Sequence, residues 1–101
     1  MKLDLLELVS YHDYQITSRS LSKKLSLNQA VTLYAMDKGE TISQETSPKS
    51  KLLQVLEGEL EISYEETSEH LIPNQLLMIE ANQLHAIKAL TPTKWLQIEC
   101  D

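Results

Sequence analysis

The residues best suited to chemistry are Glu45, Lys51 and His85, of which the first two lie between the chain's two glycines, Gly39 and Gly58. An imidazole, an ammonium group and a carboxylate together can move a proton next to a carbonyl group. The imidazole would act as base, and the ammonium would stabilise the negative charge that develops. Glycine takes positive φ or lets two backbones approach closely, so a chain this poor in glycine keeps it at turns. The two glycines therefore frame the candidate site.

Each of these residues also has a purely structural interpretation. His85 lies in an apolar, strand-like segment, where a single histidine is typical of a core residue with one satisfied hydrogen bond. Glu45 and Lys51 are compatible with solvated charges in a loop and at the start of a strand. Trp95 and Tyr34 are interpreted as core or dimer-interface aromatics in a chain without Phe, and not as residues that stack on a ligand.

Short strands separated by turn residues dominate the chain from Ile16 onwards. Alternation begins there, and a β-rich run covers Ala30–Met36 before a turn at Asp37–Gly39. Further strands are expected over residues 41–44, 51–57, 59–65, 69–72, 76–80, 85–90 and 94–100. Strands that recur about every eight to twelve residues, with no helical stretch between them, are typical of a closed or double-sheet antiparallel β architecture.

The local sequence also predicts two hairpins in the candidate segment. Residues 41–43 and 52–56 would be joined by a tight turn at 47–49, and Glu57–Gly58 would start a second hairpin into residues 59–64. The glutamates of this second region alternate with apolar residues, which is typical of the solvent face of a half-buried hairpin.

The first 15 residues differ from the rest. Asp4-Leu5-Leu6-Glu7 has the residue types of a helix capping box and predicts a helix of about one and a half to two turns docked on the core. A chain of 101 residues can bury one modest core. We therefore expect a single domain, with residues 1–15 as a helical lead-in and residues 16–101 as an all-β barrel.

Composition and charge argue against several classes of function. A net charge of −6, with nine scattered Lys plus Arg residues, does not suit a nucleic-acid partner. No apolar run approaches the roughly 20 residues that span a bilayer, and Asp4 and Glu7 interrupt the N-terminal apolar segment that a secretory signal would need. A lone Cys100 cannot close an intramolecular disulfide. We expect a cytoplasmic protein without nucleic-acid or membrane partners.

Two motif frames give the chain a resemblance to the small single-domain cupins, which are RmlC-like jelly-roll barrels. In that family a first motif runs Gly, five residues, His, one residue, His, three or four residues, Glu, six residues, Gly. A second runs Gly, five residues, Pro, one residue, Gly, two residues, His, three residues, Asn. The first set of slots is held here by Gly39, Glu45, Ser47, Lys51 and Gly58. The second set is held by Asn74, Glu80, Asn82, His85 and Ala89.

The resemblance implies an antiparallel double-stranded β-helix, covering about residues 16 to 100, in which alternation turns positions 45, 47 and 51 toward the interior. Of the four metal-ligand positions of the family, three are replaced, by Glu45, Ser47 and Lys51, and His85 alone stands unchanged. A lysine ammonium has no lone pair for a metal and repels it. We therefore expect no metal and no cofactor, and a ligand-binding site made by Glu45, Ser47, Lys51 and His85.

Two classes of function remain open. The first is a non-metal binding module that holds a small polar or anionic metabolite in the barrel. The second is a small cupin enzyme, an isomerase, epimerase, lyase or dioxygenase, that uses His85 and Lys51 with or without a divalent metal. We favour the binding module, because nothing in the sequence indicates a substrate.

Two further expectations concern contacts. Leu52–Leu56 and Leu76–Ile79 are apolar on both faces, which predicts that a second copy of the chain covers the outer one in a homodimer. At the former metal position, Lys51 is expected to supply the missing positive charge and to bond both Glu45 and His85.

Overall fold

The structure, a computed structural model, describes residues 1–100 as two antiparallel β-sheets with two short helical segments. The helical segments are a 3₁₀ helix at Leu5–Glu7 and α1 at Ser22–Leu25. The strands are β1 Ile16–Ser20, β2 Val31–Met36, β3 Thr41–Glu45, β4 Ser50–Glu57, β5 Leu60–Ser63, β6 Ser68–Leu71, β7 Leu76–Ile79, β8 His85–Ala89 and β9 Thr93–Cys100. This arrangement confirms the antiparallel jelly-roll barrel with a short N-terminal helical element. None of the helices in this part of the chain is long and apolar enough to cross a bilayer.

The order of strands in the sheets differs from the order in the sequence. The five-stranded sheet runs β1-β2-β9-β4-β7, and the four-stranded sheet runs β3-β8-β5-β6. The chain therefore changes sheet between β3 and β4, and again between β4 and β5. The two predicted hairpins are wrong, because β3 pairs with β8 while β4 pairs with β9 and β7. Strands that are neighbours in the sequence pair in most folds, but in this double-sheet roll β3, β4 and β5 alternate between the two sheets.

Gly58 lies where the chain leaves β4 for β5, and its backbone has a φ of +89°. A Cβ at this position would collide with the carbonyl oxygen of Pro92 and with Thr93. Thr93 links its strand to this turn, since its hydroxyl accepts from the Glu59 amide at 3.0 Å and donates to the Thr91 carbonyl at 2.7 Å. Glycine at 58 is thus required both by backbone conformation and by space.

Two asparagines occupy positions that the cupin motif gives to glycine. Asn74 and Asn82 have φ values of 72° and 66°, in the left-handed region. Asparagine tolerates this region better than other non-glycine residues do. The turns before β7 and β8 are therefore preserved although the glycines are not.

The N-terminal segment is less helical than its residues predict. The 3₁₀ helix has three residues, and the Asp4 side chain makes no capping hydrogen bond. Carbonyls that a longer helix would use are engaged elsewhere, because Lys94 Nζ donates to the Leu6 oxygen at 2.6 Å and Arg19 to the Leu8 oxygen at 3.4 Å. Tertiary contacts have here overridden local helix propensity.

Buried side chains form two clusters, one on each face of the five-stranded sheet. The inner cluster fills the barrel around Trp95, whose indole N–H donates to Met36 Sδ at 3.1 Å and whose ring stacks on Tyr34 with centroids 4.3 Å apart. The outer cluster joins Leu33 and its neighbours to the N-terminal segment and to α1. The expected core role of Trp95 is confirmed, and its bulk closes the middle of the barrel.

The N-terminal segment does not cover the whole outer face. Leu76 and Met78 are 62% and 55% exposed, and Met78 pairs with the half-buried Leu52 of β4. We call Leu52, Leu76 and Met78 the apolar stripe. We propose that a second copy of the chain covers it, since exposed apolar patches of this kind mark interaction sites and twofold self-association is the commonest way to bury them.

Replacing Gly58 by Ala is expected to destabilise the fold by on the order of 3 kcal/mol. This is the sum of the cost of a left-handed backbone at a non-glycine residue and the cost of a Cβ that overlaps its neighbours. Gly39→Ala is the matched control, since Gly39 also has positive φ, at +84°, but faces open space. It should cost only about 1 kcal/mol. Urea unfolding of both variants measures the difference, and equal losses would contradict the packing role of Gly58.

Sedimentation should show a dimer at tens of micromolar protein, as expected for an interface of micromolar affinity or better. The double variant Leu76→Lys with Met78→Lys should be monomeric with unchanged circular dichroism. Ile72→Lys is the control, because Ile72 is 44% exposed but lies outside the stripe. A wild-type monomer, or a control that dissociates as readily as the double variant, would contradict the proposed interface.

Candidate functional site at one end of the barrel

Three strands bring the predicted site residues to one end of the barrel. Glu45 is the last residue of β3 and pairs directly with His85, the first residue of β8, after a register shift that follows Ile42. Lys51 is the second residue of β4, on the same face as the buried Leu53 and therefore toward the interior.

Glu45 and Lys51 form a hydrogen-bonded ion pair. Lys51 Nζ donates to Glu45 Oε1 at 2.9 Å, and the side chains are 7% and 38% exposed, respectively. The predicted contact between the two residues is confirmed. The lysine is the buried partner, so its ammonium has lost most of its hydration and depends on the carboxylate for compensation.

His85 is 1% exposed and has one satisfied nitrogen and one free nitrogen. Nδ1 lies 2.9 Å from the Gln83 carbonyl oxygen, and because a carbonyl can only accept, Nδ1 carries the hydrogen. Nε2 is buried without a hydrogen-bond partner, 3.5 Å from the same Glu45 Oε1 that accepts from Lys51. The predicted bond between Lys51 and His85 is therefore wrong, since the lysine reaches only as far as the carboxylate that lies beside the imidazole.

Ser47 is held by the loop between β3 and β4. Its hydroxyl accepts from the Lys49 amide at 3.2 Å, and its carbonyl accepts from the Asn82 amide at 2.6 Å. The bond from Asn82 connects the loop to the turn that precedes β8. A direct role of Ser47 in ligand binding stays a prediction.

Two residues that sequence reasoning did not assign to the site also face it. Burial raises the pKa of the Tyr34 phenol, and the negative charges of Glu45 and Glu99 raise it further. The phenol thus stays protonated and lies near both carboxylates. Glu99 is also the direct cross-strand neighbour of Lys51. Alternation along β9 could have revealed it, because Glu99 shares a face with the buried Trp95.

The residues present do not fit the divalent metal that the cupin resemblance implies. Within residues 1–100 there is no group of three or more His, Cys, Asp or Glu side chains arranged to hold a metal ion. Glu45 and His85 offer two donors, and Lys51 places a cation on the Glu45 oxygen that would have to turn to the metal. The ammonium stands in for the ion electrostatically, but it cannot act as a Lewis acid.

A surface depression of about 380 Å³ adjoins this end of the barrel. It lies between the β5–β6 turn and the loop before β8, and it is lined by Tyr64, Glu65, Glu66, Thr67, Gln83 and Leu84. Gln83 links the depression to the site, because its carbonyl oxygen accepts from His85.

Solved structures of cupin proteins are similar to this fold. A cupin superfamily protein from Desulfitobacterium hafniense superposes with a TM-score of 0.88 at 28% identity, covering 98% of this chain and 89% of that one. A cupin 2 conserved barrel domain protein from Leptotrichia buccalis also gives 0.88 at 28% identity, covering 98% of this chain and 47% of that one. An RmlC-like cupin protein from Desulfovibrio desulfuricans gives 0.84 at 19% identity, covering 99% and 95% of the two chains.

The sequence matches no protein-family model and none of the curated proteins with which it was compared. Its likeness to the cupins therefore rests on the strand arrangement, the spacing of the two motifs and the solved structures above. The chain thus has the fold of the small conserved-barrel cupins, and it carries altered residues at the metal-ligand positions of the cupin motif.

Proposed function

We propose that this cupin is a binding module that holds a small polar or anionic metabolite at the polar end of its barrel without a divalent metal. The observation that carries the proposal is that Lys51 and His85 both lie beside the same carboxylate oxygen of Glu45. Glu45 Oε1 accepts from Lys51 at 2.9 Å and lies 3.5 Å from His85 Nε2, which is buried and has no partner.

A purely structural role does not account for this arrangement. A buried polar atom without a hydrogen bond costs about 1–3 kcal/mol, so native structures contain few of them. A buried lysine is tolerated only with compensation. Clusters of buried polar groups that are costly to the fold are typical of functional sites.

The internal ion pair explains how the site can dispense with a metal. In a metal site the cation offsets the charge of the carboxylate and orients a polar ligand. Here Lys51 offsets the charge of Glu45, and its other N–H groups can donate to a ligand. We therefore expect the protein to bind a small molecule, in addition to the second copy of the chain that would cover the apolar stripe.

The free nitrogen of His85 also supports a second candidate function. A neutral imidazole with an available lone pair is what a general base requires. An isomerase, epimerase or lyase could use it to remove a proton from a bound substrate. Lys51 is less suited to stabilise an enolate, because its charge is already offset by Glu45.

Protein purified without chelator should contain no stoichiometric Zn, Fe, Mn or Ni, and a thermal-shift screen of central metabolites should raise Tm for at least one polar compound. A ligand at 100 times its Kd stabilises the folded state by about 2.7 kcal/mol. His85→Leu should abolish that shift, whereas His12→Leu, at an exposed residue of the N-terminal lead-in, should keep it. Stoichiometric metal would refute the metal-free site, and no shift with any compound would refute the binding module.

A double-mutant cycle tests the ion pair. Glu45→Gln should cost about 2 kcal/mol, because it leaves the buried ammonium with a neutral partner. Lys51→Met should cost about 1 kcal/mol, because the half-exposed Glu45 can turn to water. The double variant should cost less than the two single effects added together. Urea unfolding measures all three, with Lys88→Met on the exposed side of β8 as a control that changes stability by less than about 0.5 kcal/mol. Strict additivity would show that the pair is not coupled.

A further inference from the structure

The hydrogen-bonding groups of the site identify a chemical class of ligand. We propose that the molecule bound at this end of the barrel is neutral and presents a hydroxyl group, as sugars and polyols do, and that Glu45 excludes anions. The inference rests on the proposed binding function and narrows it, because that function alone admits both neutral and anionic metabolites.

His85 requires a ligand that donates a hydrogen bond. Its Nδ1 hydrogen is engaged by the Gln83 carbonyl at 2.9 Å, so in the neutral ring Nε2 can only accept. Glu45 Oε1, which lies 3.5 Å from Nε2, is also an acceptor. A carboxylate or a fully ionised phosphate has no hydrogen to offer at this position.

Lys51 requires a ligand that accepts a hydrogen bond. Its ammonium has three N–H groups, of which one donates to Glu45. A hydroxyl group both accepts and donates, so a single hydroxyl can take a hydrogen bond from Lys51 and give one to His85 Nε2. A hydroxyl group is the smallest organic group that can satisfy both residues at once.

The surrounding charges disfavour an anion. Glu45 and Glu99 both act on the Tyr34 phenol, and Glu99 is the cross-strand neighbour of Lys51. Glu65 and Glu66 line the adjoining depression. The ammonium of Lys51 is already paired with Glu45 and offsets only that charge. An anion would therefore meet an excess of like charge.

An ammonium ligand is disfavoured for the opposite reason. To donate to His85 Nε2, it would have to approach the same Glu45 oxygen that Lys51 already occupies, which brings two cations together. A neutral hydroxyl carries no such penalty.

Glu45 also lies where it can select the ligand. Its side chain is 38% exposed and follows the register shift of β3, so the carboxylate can shift to admit a hydroxyl group while it keeps its hydrogen bond to Lys51. The hydroxyl then accepts from a second N–H of Lys51, and the body of the molecule extends toward the depression next to Gln83. Glu45 thus acts as the specificity-determining residue of the site.

The test is a panel of neutral sugars and polyols, each paired with its carboxylic acid and its amino analogue, titrated into the full chain. Binding is followed by the fluorescence of Trp95, the single tryptophan, and by the ¹⁵N chemical shift of His85 Nε2. At least one neutral compound should move the Nε2 signal, and its acid should bind at least about tenfold more weakly. In the Glu45→Gln variant, the ratio of the affinity for the neutral compound to the affinity for its acid should fall about tenfold. Glu7→Gln, an equal charge change on the exposed 3₁₀ helix, should leave it unaltered.

The outcomes separate the two proposals. Tighter binding of an acid or an amine than of its neutral parent, with the Nε2 signal perturbed, would overturn the inference and keep the binding module. An unchanged preference in Glu45→Gln would overturn the role of Glu45. Binding of no compound, with Nε2 unperturbed throughout the panel, would overturn the inference and the proposed function together.

Discussion

The buried ammonium of Lys51 is the constraint around which the polar end of the barrel is organised. Placed as the second residue of β4, it points inward with 7% of its side chain exposed, where an unpaired cation would be very costly. Glu45 must therefore remain within hydrogen-bonding reach, at 2.9 Å. That requirement fixes where the carboxylate lies relative to His85, and it leaves the imidazole nitrogen beside an acceptor instead of a donor.

Packed apolar and aromatic side chains in the barrel support this polar end. Trp95 is fully buried, donates to Met36 and stacks on Tyr34 at an interplanar angle of 12°. Tyr34 continues this packed layer up to the carboxylates that raise the pKa of its phenol. The Tyr34 ring is fixed by its stacking on Trp95, and its hydroxyl stays protonated. This packed layer can therefore present the Tyr34 hydroxyl to the site in one orientation. The site is thus built on strands and packed rings, and Glu45 is more exposed than Lys51 and His85.

Most of the architecture could be predicted from the sequence, because turn residues recur at regular intervals and the two motif frames fix what lies between them. The strands agree with their predicted ranges to within a few residues, and the convergence of Glu45, Lys51 and His85 follows from the frames. Strand pairing could not be derived locally, since β3 and β4 are consecutive but belong to different sheets. The short α1 helix was missed, because alternation up to Ser22 resembles a longer strand, whereas the buried Leu21 ends it. Glu99 and the Tyr34 hydroxyl were missed because their place in the site depends on the register of β9 against β2 and β4.

The motif positions that differ from the cupin pattern fall into two groups with different physical consequences. At the turns, Asn74 and Asn82 replace glycine and still adopt positive φ, because a turn requires only a backbone conformation. At the former ligand positions, Glu45 and Lys51 keep the direction of the side chain but change its charge and its lone pairs, which are what a metal requires. The same barrel can therefore persist while its chemistry changes, since the fold depends on conformation and volume and the site depends on donors and acceptors. Of the four ligand positions of the cupin motif, His85 alone carries the residue of the family, and its Nε2 is buried without a hydrogen-bond partner.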